Sequence, residues 1–415
     1  MQVKLLIISD DFTGALDTGV QFSHQGIETM VLAANRYPQS TPPNISVLVI
    51  DSESRHLCPA AAYDAVYKLV TQAMDEGVSY IYKKVDSGLR GNIGAELEAL
   101  SKGGGQGVCF IPAFPEMDRY TVDGIHYIEG IPVADSVFGR DPFNPVKQSR
   151  VSDIIGEQSD MKVVDICKEL PSQQVIGIKN ISDREAMQAF AKSLSGGRVP
   201  RLMSGCAGFA AYLPDILNLQ KPGLISLPAT QEKLLILSGS VNPVGYAQQN
   251  YAREHGFSAI QLSADFKLTE NAMSTPQGLR LIAEIQSGFQ QAENGLIISA
   301  ALDEGAARET DDIAAQRGLS MGELRQRISE NLGSLGAAIC KRLSGMIPFI
   351  IGGDTLYSTL LHLDVTTIFP KVELIPGIVW SQVAGHPDVQ RIISKSGGFS
   401  EEDAYLRVLH VLRKS

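Results

Sequence analysis

Apolar, β-branched runs alternate along the chain with stretches whose apolar residues recur at helical spacing. "VKLLIIS" (3–9) reads as a strand, Thr13 to Gln25 as a helix, and "IETMVLA" (27–33) and "SVLVIDS" (46–52) as further strands. The Ala-rich "AAAYDAVYKLVTQAMDEG" reads as a helix, followed by strand "SYIYKKV" (79–85), helix "GAELEALSK" and strand "GVCFIP" (107–112). This alternation predicts βαβ units and a mainly parallel sheet. Such a sheet is buried on both faces, so its strands are apolar throughout instead of alternating with polar residues.

Residues 113–150 break the rhythm with Pro, Gly and aromatics, and "YTVDGIHYIEGIPV" predicts a hairpin turned near Glu129-Gly130. Long irregular segments in compact domains are usually functional. Alternation then returns to about Leu217, and "LQKPGLISLPATQEK" (219–233) reads as a linker. The pattern restarts with strand "LLILSGS" (234–240), a helix over 243–255 and strand "SAIQLSA" (258–264). A helix near 277–292 leads to strand "GLIISA" (295–300), then helical sequence from Asp311 to Leu343. "MIPFIIGG" (346–353), a helix at 355–363, strands near 366–376 and 391–395 and a helix at 401–413 complete the chain. The expected fold is α/β with two domains, 1–225 and 226–415, each a mainly parallel sheet flanked by helices.

The bulk composition narrows the function. A formal charge of -10 with 44% hydrophobic residues argues against nucleic acid or an anionic membrane as main partner. The apolar run before Ser9 is too short for a signal peptide, and no stretch suits a membrane span. The cysteines (Cys58, Cys109, Cys167, Cys206, Cys340) are odd in number and scattered, which predicts buried thiols in a reducing, cytoplasmic compartment. No metal-ligand spacing occurs, so no protein-held metal is expected.

Candidate chemistry falls at strand ends. In the second half Ser238-Gly239-Ser240, then Gly352-Gly353 before a helix opening at Asp354-Thr355, and Lys395 with Gly397-Gly398 all follow predicted strands. Glycine turns and helix N-termini there let phosphate approach backbone N–H groups. Ser400 and Asp403 read as the capping box of the last helix. No GxxxxGK[ST] occurs, "GGGQG" (103–107) precedes a strand, and "SGCAG" (204–208) reads as a tight turn with a buried cysteine.

In the first half "SDDFTGALDTG" ends a strand in Asp10-Asp11. Either Asp11 or Thr13 caps the helix with Asp10 in solvent, or the paired carboxylates serve a ligand. "YKKVDSGLRGN" gathers Lys84, Asp86, Ser87, Arg90 and Asn92 around two glycines, and Arg55 follows a neighbouring strand. Such a set suits a small polyhydroxylated anion, with arginine matched to carboxylate.

"SDDFTGALDTG", "KVDSGLRGN", "GGDT" and "KSGGF" together resemble the four-carbon acid sugar kinases, in order and over essentially the whole chain. The resemblance implies an N-terminal domain that binds the sugar acid, a C-terminal domain that binds ATP, and an active site in the cleft between them. It makes Asp10, Asp11, Arg55, Lys84, Val85, Asp86 and Ser87 substrate contacts, with Arg90 beside them. Ser240, Gly352, Gly353, Asp354, Thr355 and Gly397 become ATP contacts. Phosphoryl transfer needs a group that accepts the hydroxyl proton, and Asp11 or Asp86 is expected in that role. Arg55 and Lys84 would hold the substrate carboxylate.

The implied reaction is ATP-dependent phosphorylation of the terminal (4-) hydroxyl of D-threonate or D-erythronate, with Mg²⁺ inferred from ATP use. A 3-oxo-tetronate substrate is the nearest alternative. A nucleotide-dependent sugar-acid oxidoreductase is more distant, since no GxGxxG follows a strand. A binding protein without catalysis is the third reading. Oligomeric state is left open, a homo-oligomer included.

Overall fold

Leu5–Ser9 (β1) is buried at every position, as an apolar strand covered on both faces must be. Each fully buried Leu or Ile there is worth roughly 1.5–3 kcal/mol relative to exposure. The structure, a computed structural model, describes all residues except 1–2, 142–143, 167–173, 196, 198, 222, 224–226, 228, 399 and 415. Cys167 therefore lies outside the described residues. The chain divides into two compact units, Met1–Leu224 and Ile225–Ser415.

The first unit continues through β2 (Thr29–Leu32), β3 (Val47–Asp51), β4 (Tyr80–Lys84) and β5 (Val108–Ile111). Then come β6 (Arg119–Val122), β7 (Ile125–Ile128), β8 (Ile131–Pro132), β9 (Val163–Asp165), β10 (Ile176–Ile178) and β11 (Leu202–Gly205). A parallel sheet runs in the order β2-β3-β1-β4-β11-β5-β10-β9. The strand order reverses across β1, the place where open α/β sheets form a binding crevice.

Residues 113–150 hold more regular structure than the sequence suggests. β6, β7 and β8 form a small antiparallel sheet. The expected turn at Glu129-Gly130 is there, with φ of 51° and 79°, and a second lies at Asp123-Gly124, with φ of 50° and 76°. Left-handed φ at both central residues defines a type I′ hairpin turn, and Asp-Gly is its preferred pair.

In the second unit β12 (Lys233–Ser238), β13 (Phe257–Gln261), β14 (Gly295–Ser299) and β15 (Met346–Ile351) are parallel in the order β13-β14-β12-β15. β16 (Thr367–Ile375), β17 (Ile378–Val383) and β18 (Arg391–Lys395) follow; β18 joins β15 in parallel, and β17 and β16 are antiparallel beyond it. β17 was not anticipated. The long helical sequence is two helices, Glu304–Gln316 and Met321–Arg342. Ser320 and Glu323 form a full capping box at the second start, which breaks the pattern where periodicity alone runs on. The last helix is Ala404–Lys414. Ser400 is not its cap: it has φ of 69°, and its hydroxyl donates to the Pro376 carbonyl.

Candidate active site

Strand register brings the predicted residues of the first unit together. Ser9 stands abreast of Asp51 on one side and Lys84 on the other, and Lys84 is abreast of Gly205. The chain leaving β1, β3 and β4 therefore delivers Asp10 and Asp11, Arg55, and Val85 to Ser87 to one edge. Val85 is buried and its N–H donates to the Gly205 carbonyl, tying this turn to β11.

Asp11 is the N-cap of the helix Phe12–Ser23, its Oδ1 accepting from Gly14 N, a bond typically worth about 1 kcal/mol. The same Oδ1 accepts from Arg55 Nη2 at 2.6 Å, and Oδ2 accepts from Thr13 Oγ1 at 2.6 Å. Capping and participation in the cluster thus coexist. Asp10 is not in solvent: it is 2% exposed, and its Oδ2 accepts from Arg55 Nε at 2.7 Å. Burial pushes its carboxyl up, but the charges of Arg55, Lys84 and Lys83 outweigh this and hold it below its ordinary value.

Asp86 is buried and gripped by Arg90, whose Nε donates to Oδ2 at 2.8 Å and Nη2 to Oδ1 at 2.9 Å. Oδ2 also accepts from Gly88 N and Arg90 N. Against the upward push of burial, Arg90, Arg55 and Lys84 hold this carboxyl well below its ordinary value. Arg90 also donates to Asp141 at 2.9 Å. Ser87 is fixed twice: its carbonyl faces His126 Nε2 at 3.0 Å and its hydroxyl accepts from Arg119 Nη1.

Two groups of the Asp10, Asp11, Arg55 and Lys84 cluster have no hydrogen-bond partner among the described residues. Lys84 is 5% exposed, yet its ammonium forms no hydrogen bond or ion pair. Asp10 Oδ1 is buried without a donor. Native interiors pair such groups, so an uncommitted ammonium and an orphaned acceptor mark a polar site able to pair with a ligand's groups. Gly14 lets these groups pack against the helix start: a Cβ there would lie 2.5 Å from Lys84 Nζ and would also clash with Asp11 Oδ1. Beneath the site Lys83 pairs with Glu96 at 3.0 Å and donates to the Lys84 carbonyl at 2.8 Å, which anchors the backbone that carries Lys84.

The predicted residues of the second unit also converge. Ser238 is abreast of Ile351, and Ile351 of Lys395, so the turns after β12, β15 and β18 lie side by side. A Cβ on Gly239 would come within 2.1 Å of Thr355 Oγ1, and one on Gly397 within 2.3 Å of Ser240 Oγ. Gly352 has φ of 102° and leads the helix Gly353–His362, which has no side-chain cap. Helix N-terminal N–H groups beside glycine turns suit phosphate. Asp354 turns its carboxylate to Arg325, at 2.7 and 2.8 Å, so its charge is balanced in place. Lys395 is 1% exposed and its ammonium donates to the carbonyls of Ser396 and Gly397. Burial pulls it down to about 7.

Sequence reasoning passed over Arg119, His126 and Asp141, which stand in the irregular stretch. The Asp123-Gly124 signal was the available clue to the hairpin that carries the first two. Among the described residues no three His, Cys, Asp or Glu side chains are grouped to hold a metal ion. No described helix is long and apolar enough to cross a membrane.

Comparison with known proteins matches residues 5–213 to a sugar-binding N-terminal domain and residues 235–405 to a nucleotide-binding C-terminal domain. These two halves in this order define the class. The chain belongs to the four-carbon acid sugar kinase family. It is 26% identical to a D-threonate kinase of Salmonella typhimurium over 99% of both chains. It is 25% identical to a D-erythronate kinase of Heliobacterium modesticaldum, over 97% of this chain and 95% of that one. A 3-oxo-tetronate kinase of Haemophilus influenzae is 23% identical, over 96% of this chain and 97% of that one. A solved Haemophilus influenzae protein shares the fold with a TM-score of 0.71 at 19% identity, covering 98% of this chain and 100% of its own.

Proposed function

We propose that the protein is an ATP-dependent kinase that phosphorylates the terminal (4-) hydroxyl of a four-carbon acid sugar, D-threonate or D-erythronate. The first unit holds the acid and the second the nucleotide. The observation that carries this reading is the Asp10, Asp11, Arg55 and Lys84 cluster with its unpartnered ammonium. It offers acceptors for sugar hydroxyls and a cation for an anionic group.

Within this reading Asp11 is the favoured base. Both oxygens of Asp86 are occupied by Arg90, and its lowered pKa makes it a poor proton acceptor. Asp11 keeps 22% side-chain exposure. It takes the proton of the attacking hydroxyl as the oxygen–phosphorus bond forms and the bond to ADP breaks. Arg55 bonds Asp10 and Asp11 and orients both carboxylates beside its expected role as a substrate contact. Ser240, Gly352 to Thr355 and Gly397 line the phosphates. Magnesium arrives with the nucleotide, as part of the substrate.

The test is coupled ADP release with Mg-ATP against D-threonate, D-erythronate, their L forms and 3-oxo-tetronates. Strong stimulation by a threonate or erythronate supports the reading and names its isomer. Stimulation by 3-oxo-tetronate alone moves the substrate to the alternative. No stimulation by any overturns the kinase.

A further inference from the structure

The site's cations are not equally available. Arg55 faces Asp10 and Asp11, with Asp86 at 3.8 Å. Arg90 faces Asp86 and Asp141, and Lys83 faces Glu96. Arg119 forms no ion pair among the described residues. It is half-buried, and its Nε is buried without an acceptor. A guanidinium carries five N–H donors, and here the hydroxyl of Ser87 takes one. Sequestering the Nε N–H without a partner is costly, unless something absent from the chain completes it.

The surroundings aim this group at the acid site. Phe114 and Arg119 exchange backbone hydrogen bonds at 2.8 and 3.1 Å, which ties β6 to the chain leaving β5. The Cys206 thiol at the end of β11 donates to the Ala113 carbonyl at 3.4 Å in the same turn. Arg119 lies 5.1 Å from the Phe138 ring centroid and Arg90 lies 5.0 Å from it. That ring packs on Gly88, where a Cβ would come within 2.5 Å. Arg119 and Lys84 act electrostatically on the same two groups, Asp86 and Cys206. Both uncommitted cations thus flank one turn, Asp86 to Gly88.

We propose that Arg119 is the carboxylate-recognising residue of the acid site, receiving the substrate carboxylate together with Lys84 and so selecting sugar acids over the matching polyols. This rests on the kinase reading above. A planar fork suits a carboxylate bidentately, where Lys84 supplies only a point charge. Burial also pulls the Arg119 guanidinium below its ordinary value, the direction that a bound anion reverses.

The experiment compares wild type with Arg119→Met and Arg119→Lys. Calorimetry measures direct binding of D-threonate and D-erythronate, with threitol and erythritol as the carboxylate-free comparison, and coupled ADP release gives KM for acid and KM for ATP. Arg119→Met is expected to lose acid affinity by about 30-fold or more, as for a lost charge-assisted pair. KM for ATP should stay within about twofold of wild type, and the loss of affinity should fall on the acids rather than on the polyols. Arg119→Lys should recover part of the acid affinity, and it replaces Arg119→Met as the deciding variant if circular dichroism shows the latter unfolded. Acid binding unchanged in the deciding variant overturns the clamp alone. Equal loss with acid and polyol also overturns it, because that is the mark of a structural role. A wild type that binds none of the acids overturns the kinase reading, and the clamp with it.

Discussion

Arg55 donates through Nε to Oδ2 of Asp10 at 2.7 Å, although 45 positions separate the two in the chain. The pair forms because β1 and β3 are parallel neighbours ending in register. Arg55 N also donates to the Asp10 carbonyl at 3.2 Å, so backbone and side chain make the same connection. The outcome is a buried carboxylate that stays ionised, with one oxygen fixed and the other waiting.

Asp11→Asn keeps the shape of the cap and removes the proposed base. Turnover is expected to fall by about 100-fold or more, with acid affinity little changed. Asp86→Asn leaves Arg90 without its bidentate partner and should lower stability by about 3 kcal/mol. Steady-state kinetics and urea unfolding of the two variants separate these outcomes.

Gly14→Ala and Gly397→Ala probe the two units separately. The first places a methyl against Lys84 Nζ and Asp11 Oδ1, the second against Ser240 Oγ. Gly14→Ala should weaken acid binding by about tenfold or more and spare nucleotide, and Gly397→Ala should do the reverse. Calorimetric titration of each variant with each ligand checks this. Equal loss of both ligands in either variant contradicts the assignment.

Lys395, beside the proposed phosphate turns, is expected to link nucleotide binding to pH. Its ammonium is pulled down to about 7 in the folded protein from an ordinary 10.5. Between those values the unfolded state holds the extra proton, so this group makes stability rise as pH climbs from 7 towards 10.5. Phosphate favours the charged form, so nucleotide binding above pH 7 takes up a proton and weakens as pH rises. Titrations in two buffers of different ionisation heat measure the uptake, which Lys395→Met should abolish.

His126 works in the acid range. Burial pulls its imidazole from 6.5 down to about 4. The unfolded state binds the proton first on acidification, so stability is lost as pH falls from 6.5 to 4, on the order of 3 kcal/mol in all. Urea midpoints across that range should show the slope in wild type and lose it in His126→Gln.

Much of the site was legible because strand ends advertise themselves. Asp10-Asp11, Lys84 to Ser87 and Gly352 to Thr355 each follow an apolar run directly, so local sequence locates them. Which charge meets which was not legible. That Arg55 bonds two aspartates, or that Asp354 turns to Arg325, depends on contacts between distant segments. Arg119 was hidden for a further reason: it opens β6 ahead of the turn at Asp123-Gly124, while the sequence reading placed the hairpin turn only at Glu129-Gly130. Ser400 misled because a good capping pair in sequence competes with a left-handed backbone and a bond to Pro376.

The alignment of Ser9, Asp51 and Lys84 makes the site tolerant in one place and brittle in another. The connection between β2 and β3 can change length without disturbing those three residues, since the sheet holds them level. A single residue inserted inside β1 would advance Asp10 by about 3.3 Å and turn its side chain to the opposite face. Arg55 would then lose its partner while every residue type stayed the same. Drift within this family should therefore be free in the connection between β2 and β3 and confined, at β1, to exchanges that keep the strand's count.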